Sequence, residues 1–213
     1  MSAAPTLTGN PTIRPFRPED RDRLAEICLL TAAGGGDATG VYSDDALMPE
    51  VWCLPYLAYA PDLAFVVADG HDVLGYVLGV ADTADFIDWY AREWAPGFRE
   101  RHPRVGPPTG RNPGYTEADL LESGGDPERM RIAELAEYPA HLHIDLVPAA
   151  QGRGLGRALI DRLRAELAAR GVRAVHLSMD PGNTPARAFY DRLGFHELPS
   201  SRKDAPLLGI ATS

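Results

Sequence analysis

The sequence contains little lysine and cysteine and no long apolar run. Lys203 is the only lysine, so a P-loop, which needs Gly-Lys-Ser/Thr, is excluded. Cys28 and Cys53 are too few for a disulfide framework and match no zinc spacing, so we expect both in the core. No apolar segment is long enough to span a membrane, and the first residues lack the basic and apolar regions of a signal peptide. We therefore expect a cytoplasmic protein without membrane partners.

Positive charge is also scarce, with a formal net charge of −9 over 213 residues. This balance argues against a nucleic-acid partner, because phosphate backbones are bound by basic surfaces. An acidic surface suits a cationic or amine substrate, but it also simply aids solubility. The apolar content of 45% and the charged content of 24% are typical of a soluble globular chain. The length fits one large domain, or a domain with a substantial insertion.

Alternating strand and helix patterns predict a mixed α/β sheet. We expect a flexible tail over residues 1–10 and a single domain over 11–213. The run Asp69-Gly70-His71-Asp72 predicts a hairpin turn between two apolar strands. The predicted strands cover 12–17, 64–68, 73–80, 141–147 and 172–179. Four helices are predicted outside residues 83–138. The first begins at Pro18, and the second lies near 43–59 with interruptions at Pro49 and Pro55. The third carries the stripe Leu155, Leu159, Leu163 and Leu167, and the fourth covers 185–192.

Residues 83–138 are the least regular part of the sequence. Phe86, Trp89, Tyr90 and Trp94 have the spacing of one helix face. A Pro/Gly-rich stretch over 103–114 follows, and then another predicted helix near 116–136. The aromatic face could pack on the main domain as a structural element. It could also form a lid or wall over a binding site, or a contact in a homodimer.

The glycine-rich stretch over 146–157, Leu-Val-Pro-Ala-Ala-Gln-Gly-Arg-Gly-Leu-Gly-Arg, is the most informative segment. Gly152, Gly154 and Gly156 let the backbone turn tightly between an apolar strand and a helix. The exposed N–H groups then lie at a helix N-terminus, where the peptide dipoles favour an anion. The spacing is not the Gly-x-Gly-x-x-Gly of dinucleotide-binding folds. It predicts a seat for a pyrophosphate, with a plain strand–helix connection as the alternative.

This stretch does not stand alone in the sequence. The run Gln-x-x-Gly-x-Gly after a strand ending in Leu-Val-Pro, followed by Asn183 and the run 188–195, resembles the GNAT family of acetyl-CoA-dependent N-acetyltransferases. The resemblance implies the GNAT fold, an α/β class with a mixed central β-sheet flanked by helices. The segment 83–138 becomes a helical insertion between strands 3 and 4. It also implies acetyl-CoA as co-substrate and an amine as the acceptor.

Further segments resemble one branch of that family. Residues 13–20, 26–28, 55–57, 74–79 and 138–145 are similar to the acetyltransferase-like (pseudo histone acetyltransferase) C-terminal domain of O-GlcNAcase and its bacterial stand-alone relatives. The likeness covers roughly residues 11–210 and is strongest outside the insertion. The eukaryotic domain departs from the usual GNAT pyrophosphate loop. This chain keeps the loop over 151–156, which implies that it binds acetyl-CoA.

The resemblance also implies a set of cofactor-binding residues. The backbone of Leu146 and Val147 is expected to hold the acetyl and pantetheine groups like an added strand. The N–H groups from 151 to 156 are expected to cradle the pyrophosphate, with two arginines near the phosphates. The full set is Leu146, Val147, Gln151, Gly152, Arg153, Gly154, Leu155, Gly156, Arg157, Asn183 as the pantetheine contact, and Tyr190 close to the sulfur.

Acetyl transfer to an amine requires a neutral nitrogen. At pH 7 only about one in 10³ lysine-like amines is neutral, so deprotonation adds about 4–5 kcal/mol to the barrier. A nearby base can remove the proton, directly or through water. His141, His143 and Asp145 project from one side of a strand, and Asp145 lies closest to the expected thioester. We expect Asp145 as the base, with His143 as a second candidate and a structural or substrate-charge role for Asp145 as the alternative.

The rest of the chemistry is assigned to the strand backbone and to one tyrosine. An N–H of Leu146 or Val147 would stabilise the oxyanion, and Tyr190 would protonate the leaving thiolate, unless it only packs in the core. The His-x-His-x-Asp pattern could ligate a metal, but residues two apart on a strand lie about 6.6–7 Å apart and converge poorly, so we expect none. A second class of function remains open, an acetyl-CoA-binding module with weak or no catalysis that acts as a sensor or interaction domain.

Overall fold

Seven strands form one mixed sheet in the order β1-β2-β3-β4-β5-β7-β6 in the computed structural model, which describes residues 9–103 and 116–213. β2 and β3 each lie between two other strands and are buried over almost their whole length, as their runs of Val and Leu predict. The mixed α/β class predicted from the sequence is confirmed. The strands are β1 (Thr12–Pro15), β2 (Ala64–Asp69), β3 (Asp72–Val80), β4 (Ala140–Leu146), β5 (Ala174–Ser178), β6 (His196–Glu197) and β7 (Leu207–Ala211).

Helices cover both faces of this sheet. α7 packs on one face, where Gly79 leaves room for Leu163; a Cβ at Gly79 would come within 2.8 Å of the Leu163 side chain. α1 and α3 contact β3 on the other face. The helices are α1 (Arg21–Thr31), α2 (Leu47–Trp52), α3 (Leu54–Tyr59), α4 (Thr83–Trp89), α5 (Ala95–Arg101), α6 (Glu117–Gly125), α7 (Leu155–Ala169) and α8 (Thr184–Leu193). Across the described ranges, no helix is both long and apolar enough to cross a membrane.

The pairing around β4 positions the candidate site. β4 pairs with β3 along six residue pairs, from Val80–His141 to Gly75–Leu146. Its parallel pairing with β5 stops after two, Ala140–Val175 and His141–His176. Beyond His141 the two neighbouring strands therefore separate. The edge of β4 that faces this gap carries backbone groups that no described strand satisfies.

Two predicted helical regions need correction. The region near 43–59 is interrupted at Cys53, where the backbone leaves helical geometry (φ −127°, ψ −62°), and not at the two prolines. Pro49 and Pro55 lie in the first turns of α2 and α3, where a proline costs no helical hydrogen bond. The helix predicted near 116–136 ends at Gly125, and a short 3-10 turn over Pro127–Met130 follows. Residues 1–8 of the predicted tail lie outside the described residues. So do residues 104–114 of the Pro/Gly-rich stretch.

The insertion between β3 and β4 is helical, as predicted. Phe86 and Tyr90 are fully buried, whereas Trp89 and Trp94 pack partly buried against the core. The helix face is not continuous, because the backbone widens to a π-turn over Tyr90–Trp94 between α4 and α5. The aromatic face therefore anchors the insertion to the main core.

Candidate active site

The glycine-rich turn lies at the N-terminus of α7, immediately after β4. Gly152 and Gly154 have φ of +71° and +78°, a left-handed conformation that other residues rarely adopt. No side chain caps the helix, and its first internal hydrogen bond runs from Ala158 N–H to Gly154 C=O. The N–H groups of the preceding turn are thus free of helical partners. Such a turn concentrates donors and the positive end of the helix dipole at one point.

Two arginines give this turn a positive surface. Arg153 and Arg157 are exposed, and neither forms an ion pair with a carboxylate of the described residues. Arg157 donates to the carbonyl oxygen of Arg192, at the end of α8, over 3.0 Å. In a chain of net charge −9, two unpaired cations beside free N–H groups make a local site for an anion.

α7 and α8 approach closely behind the turn. A Cβ on Gly156 would lie 3.1 Å from the Phe189 ring, so a larger residue here would press against that ring. Asn183 caps α8, its Oδ1 accepting the Ala186 N–H at 3.1 Å. The Nδ2 group and one lone pair of Oδ1 are left for a ligand. The predicted pantetheine contact therefore has a structural role as well.

The two predicted backbone contacts on β4 differ in direction. Val147 N–H donates to the Leu74 carbonyl oxygen of β3 at 3.0 Å, so it points away from the gap. In an antiparallel pair the backbone groups alternate in direction, so those of Leu146 and Ile144 point into the gap. The Leu146 carbonyl accepts the Gln151 side chain at 2.9 Å. Of the two N–H groups predicted to stabilise an oxyanion, only that of Leu146 faces the gap.

Asp145 lies on the α1 face of the sheet, held by Tyr76 of β3. The Tyr76 hydroxyl donates to Asp145 Oδ2 at 2.5 Å. Burial raises the pKa of Asp145, and hydrogen bonds with Tyr76 and Thr31 offset only part of this rise. The proton affinity of this carboxylate therefore exceeds that of an ordinary aspartate.

Tyr190 is the only buried residue of α8 and is 8% exposed. Burial raises its pKa, and the nearby Asp145 charge adds to the rise, so the phenol keeps its proton at neutral pH. Its ring contacts Phe189 and Phe195. The hydroxyl is free of hydrogen-bond partners in the described part of the chain and is not fully enclosed. It thus combines the predicted packing role with an available proton donor.

His143 and His141 belong to a chain of hydrogen bonds beside Asp145. Thr83 Oγ1 donates to the Pro139 carbonyl at 2.7 Å, so it must accept from His141 Nδ1 at 2.8 Å. The Tyr56 hydroxyl then donates to His141 Nε2 and accepts from His143 Nε2, both at 2.9 Å. This order leaves Nδ1 of His143 as the acceptor on its ring. This series of hydrogen bonds fixes the tautomer of both histidines.

Three histidines in and beside this series of hydrogen bonds are held neutral. Burial, with a smaller effect of Arg129, lowers the pKa of His143 to about 3. Burial also lowers the pKa of His141, and it lowers the pKa of His176 to about 4. A neutral imidazole of such low proton affinity accepts hydrogen bonds but is a weak base. Within residues 9–103 and 116–213, no three His, Cys, Asp or Glu side chains are grouped to hold a metal ion.

A cleft of about 450 Å³ opens beside His143, between β4, β5 and the insertion. Leu142 and His143 line it from β4, and Leu177 and Ser178 from β5, at the strand separation. Residues 129–133 of the insertion form another wall, together with Ser200 and Arg202 from the β6–β7 connection. Residues 129–133 of the insertion thus form a wall of the cleft. The aromatic face packs on the main core instead, the first of the alternatives predicted for it from sequence.

Sequence reasoning missed four residues of this region. Tyr56 and Thr83 connect the histidines, Tyr76 holds Asp145, and Arg129 lies over the Trp52 ring at 4.5 Å in the cleft wall. Tyr56 and Tyr76 stand within the segments 55–57 and 74–79 that carry the family resemblance, so a signal for them existed. No pattern pointed to Thr83 or Arg129, because His141, the partner of Thr83, and Trp52, the ring beneath Arg129, lie far away in sequence.

Comparison with known proteins identifies the class. Residues 125–195 match the Acetyltransferase (GNAT) family. The crystal structure of SsHAT superposes with a TM-score of 0.85 at 45% identity, covering 98% of this chain and 100% of that one. The chain belongs to the GNAT acetyltransferase family, and the predicted GNAT fold is confirmed.

Two curated relatives refine the position within the family. Protein O-GlcNAcase of Rattus norvegicus is 24% identical over 201 residues, which cover 93% of this chain but 22% of that protein. A mycothiol acetyltransferase of Gordonia bronchialis is 32% identical over 151 residues, 64% of this chain and 47% of that protein. The chain thus spans about a fifth of O-GlcNAcase, and the predicted homology to its acetyltransferase-like region is confirmed.

More distant neighbours share the fold alone. YncA from Salmonella typhimurium, solved with its cofactor acetyl-CoA, is 16% identical at a TM-score of 0.53, covering 95% of this chain and 94% of that one. PaiA N-acetyltransferase from Thermoplasma acidophilum, in complex with coenzyme A, is 12% identical at a TM-score of 0.57. The superposition covers 95% of this chain and 99% of that one.

Proposed function

We propose that this chain is an acetyl-CoA-dependent N-acetyltransferase. The observation that carries the proposal is the separation of β4 from β5 directly before the glycine-rich turn. Pantetheine has amide groups that can pair with the free edge at Ile144 and Leu146. The pyrophosphate would then meet the N–H groups of the turn, with Arg153 and Arg157 beside it. Family membership and the cofactors of the two fold neighbours support the same ligand.

The two faces of the sheet then take different parts of the reaction. The glycine-rich turn, α7 and α8 lie on one face, and Asp145, His143 and the cleft lie on the other. The gap between β4 and β5 connects them. A thioester at the gap would be open to an amine in the cleft, and the Leu146 N–H would face the oxyanion that develops on attack.

Asp145 fits the role of general base better than His143. A base needs a proton affinity that allows it to take a proton from an ammonium, directly or through water. The pKa of Asp145 is raised, whereas the pKa of His143 is lowered to about 3. Tyr190, kept protonated by burial, would donate to the departing thiolate. His143 then serves as a hydrogen-bond acceptor in the cleft wall.

The test is acetyl transfer from acetyl-CoA to a panel of amines, read as release of free thiol. We expect transfer by the wild type and a fall of about 10²–10⁴-fold in kcat for Asp145→Asn, with acetyl-CoA affinity retained. Tyr190→Phe should lower kcat less, because a thiol of pKa about 8.5 leaves fairly well unaided. Asp72→Asn, in the exposed hairpin turn, is the matched control and should change neither value. Tight acetyl-CoA binding without transfer to any amine would instead favour a non-catalytic binding module.

The predicted cytoplasmic location and homodimer stay predictions.

A further inference from the structure

The charge lining the cleft is opposite in sign to the charge of the chain. Three arginines line it, Arg129, Arg131 and Arg202, and no aspartate or glutamate of the described residues does. The chain as a whole has 30 acidic and 21 basic residues. A cleft built to receive a lysine-rich or otherwise cationic acceptor would instead carry carboxylates.

Two of the three arginines are already neutralised. Arg131 forms a bidentate ion pair with Glu128, with its shorter contact at 2.6 Å. Arg202 is exposed and pairs with Asp204 at 3.2 Å. Both pairs lie in solvent, where such contacts contribute little to a binding site.

Arg129 differs from both. It is partly buried, with its guanidinium 4.5 Å from the centre of the Trp52 ring, and donates to the carbonyl oxygens of Ser123 and Val51. Within the described ranges, no carboxylate lies at ion-pair distance from it. Neutral carbonyls and an aromatic ring hold the guanidinium in place without cancelling its charge. A partly desolvated cation with no carboxylate partner keeps its charge available to an anion that enters the cleft.

The side chain beside Arg129 complements it. His143 lines the same cleft and is neutral, with Nδ1 as a hydrogen-bond acceptor. The wall therefore offers one positive charge and one acceptor atom at the place where β4 and β5 separate. An anionic group of a ligand would bind the Arg129 guanidinium, and an N–H group of the same ligand would donate to His143 Nδ1.

We propose that the acceptor is an amine that carries an acidic group, a carboxylate or a phosphate, and that Arg129 binds this group. The inference rests on the proposed function, because it names the substrate class of that site. The planar guanidinium suits either anion, since both offer paired oxygens. Cationic peptides are then poor acceptors, despite the acidic character of the whole chain.

The experiment compares acceptors that differ only in the acidic group. β-Alanine is set against β-alaninamide for the carboxylate, and phosphoethanolamine against ethanolamine for the phosphate. We expect kcat/KM to favour one or both acids by about 10- to 100-fold, the range of a charge-assisted hydrogen-bonded pair. Arg129→Gln should remove the preference, Arg129→Lys should keep part of it, and Arg131→Gln, the matched control, should keep it in full.

Equal rates for acids and their neutral partners would overturn the proposal, as would an unchanged preference in Arg129→Gln. If no amine is acetylated, calorimetric titration of the same acids still tests the cleft. Binding of an acid by the wild type that is lost in Arg129→Gln would support the anion site while the proposed catalysis fails. If Arg129→Gln does not fold, Arg129→Lys supplies the comparison. Absence of acid binding by a wild type that binds acetyl-CoA would overturn the anion site alone.

Discussion

Mild acid should destabilise this fold strongly, because three histidines are buried in their neutral form around the cleft. The pKa of His143 is lowered to about 3 and that of His176 to about 4, and the pKa of His141 lies well below its ordinary value of 6.5. The unfolded chain therefore binds protons at these residues as the pH falls below 6.5, while the folded chain does not. The stabilising contribution is complete above 6.5 and is lost progressively toward the folded pKa values.

The size of the effect follows from the width of this window. A solution at pH 5 is about 1.5 pH units below the unfolded-state pKa of each histidine. This difference corresponds to a loss of about 2 kcal/mol of folding stability per histidine. Three histidines together give about 6 kcal/mol, which is comparable to the whole stability of many domains. Local relaxation reduces this sum, and we expect at least about half of it to be measured. Asp145 acts in the opposite direction, since its raised pKa adds stability once it takes up a proton.

Urea unfolding at pH 7 and at pH 5 measures this loss directly. His176→Asn is the informative variant, because an Asn amide can still donate to the Tyr138 carbonyl that accepts from His176 Nδ1 at 2.9 Å. It should reduce the loss between the two pH values by about one third. His71→Asn, at an exposed turn, is the matched control and should leave the loss unchanged. Equal unfolding free energies at pH 7 and pH 5 would refute the reasoning, and so would an unaltered loss in His176→Asn.

Three further changes should each disturb one contact of the site. Tyr56→Phe removes the hydroxyl shared by His141 and His143, and should lower the unfolding free energy by about 2–5 kcal/mol in urea, against under 1 kcal/mol for an exposed Tyr→Phe change. Tyr76→Phe removes the donor to Asp145, and should cost about 1.5–3 kcal/mol at pH 7 and move the acidic limb of the kcat profile to higher pH. Gly156→Val places a branched side chain where a Cβ alone would lie 3.1 Å from the Phe189 ring, and should lower Tm and cost about 1–3 kcal/mol; an unchanged Tm would contradict the close packing of α7 on α8.

The sequence predicted those parts of the fold that depend on local pattern. The hairpin at Gly70, the leucine stripe of α7 and the common side of His141, His143 and Asp145 all follow from periodicity and turn chemistry, and the structure confirms them. The predicted helix near 116–136 was too long, because apolar and charged residues after Gly125 kept a helical spacing that the turn at Pro127 breaks. The interruptions predicted at Pro49 and Pro55 are wrong, because proline is well tolerated in the first turn of a helix.

The environment of the site could not be predicted in the same way. Thr83 reaches His141 across 58 residues, and Tyr56 reaches it across 85, so no local pattern encodes the tautomers. The direction of the Val147 N–H depends on its pairing with Leu74 in β3. The charge of the cleft depends on which arginines have carboxylate partners. Each of these features is set by tertiary packing, and together they decide which groups a ligand meets.

Acetyl-CoA binding at the glycine-rich turn is the central claim, and calorimetric titration with acetyl-CoA tests it most directly. Gly154→Glu places a side chain and a negative charge at the proposed pyrophosphate seat. Gly171→Glu is the matched control, since Gly171 has nearly the same φ, +77° against +78°, and open space around it, at the opposite end of the same helix. We expect the wild type and Gly171→Glu to bind acetyl-CoA and Gly154→Glu to lose binding. A wild type that does not bind, or a Gly154→Glu variant that binds equally well, would contradict the account.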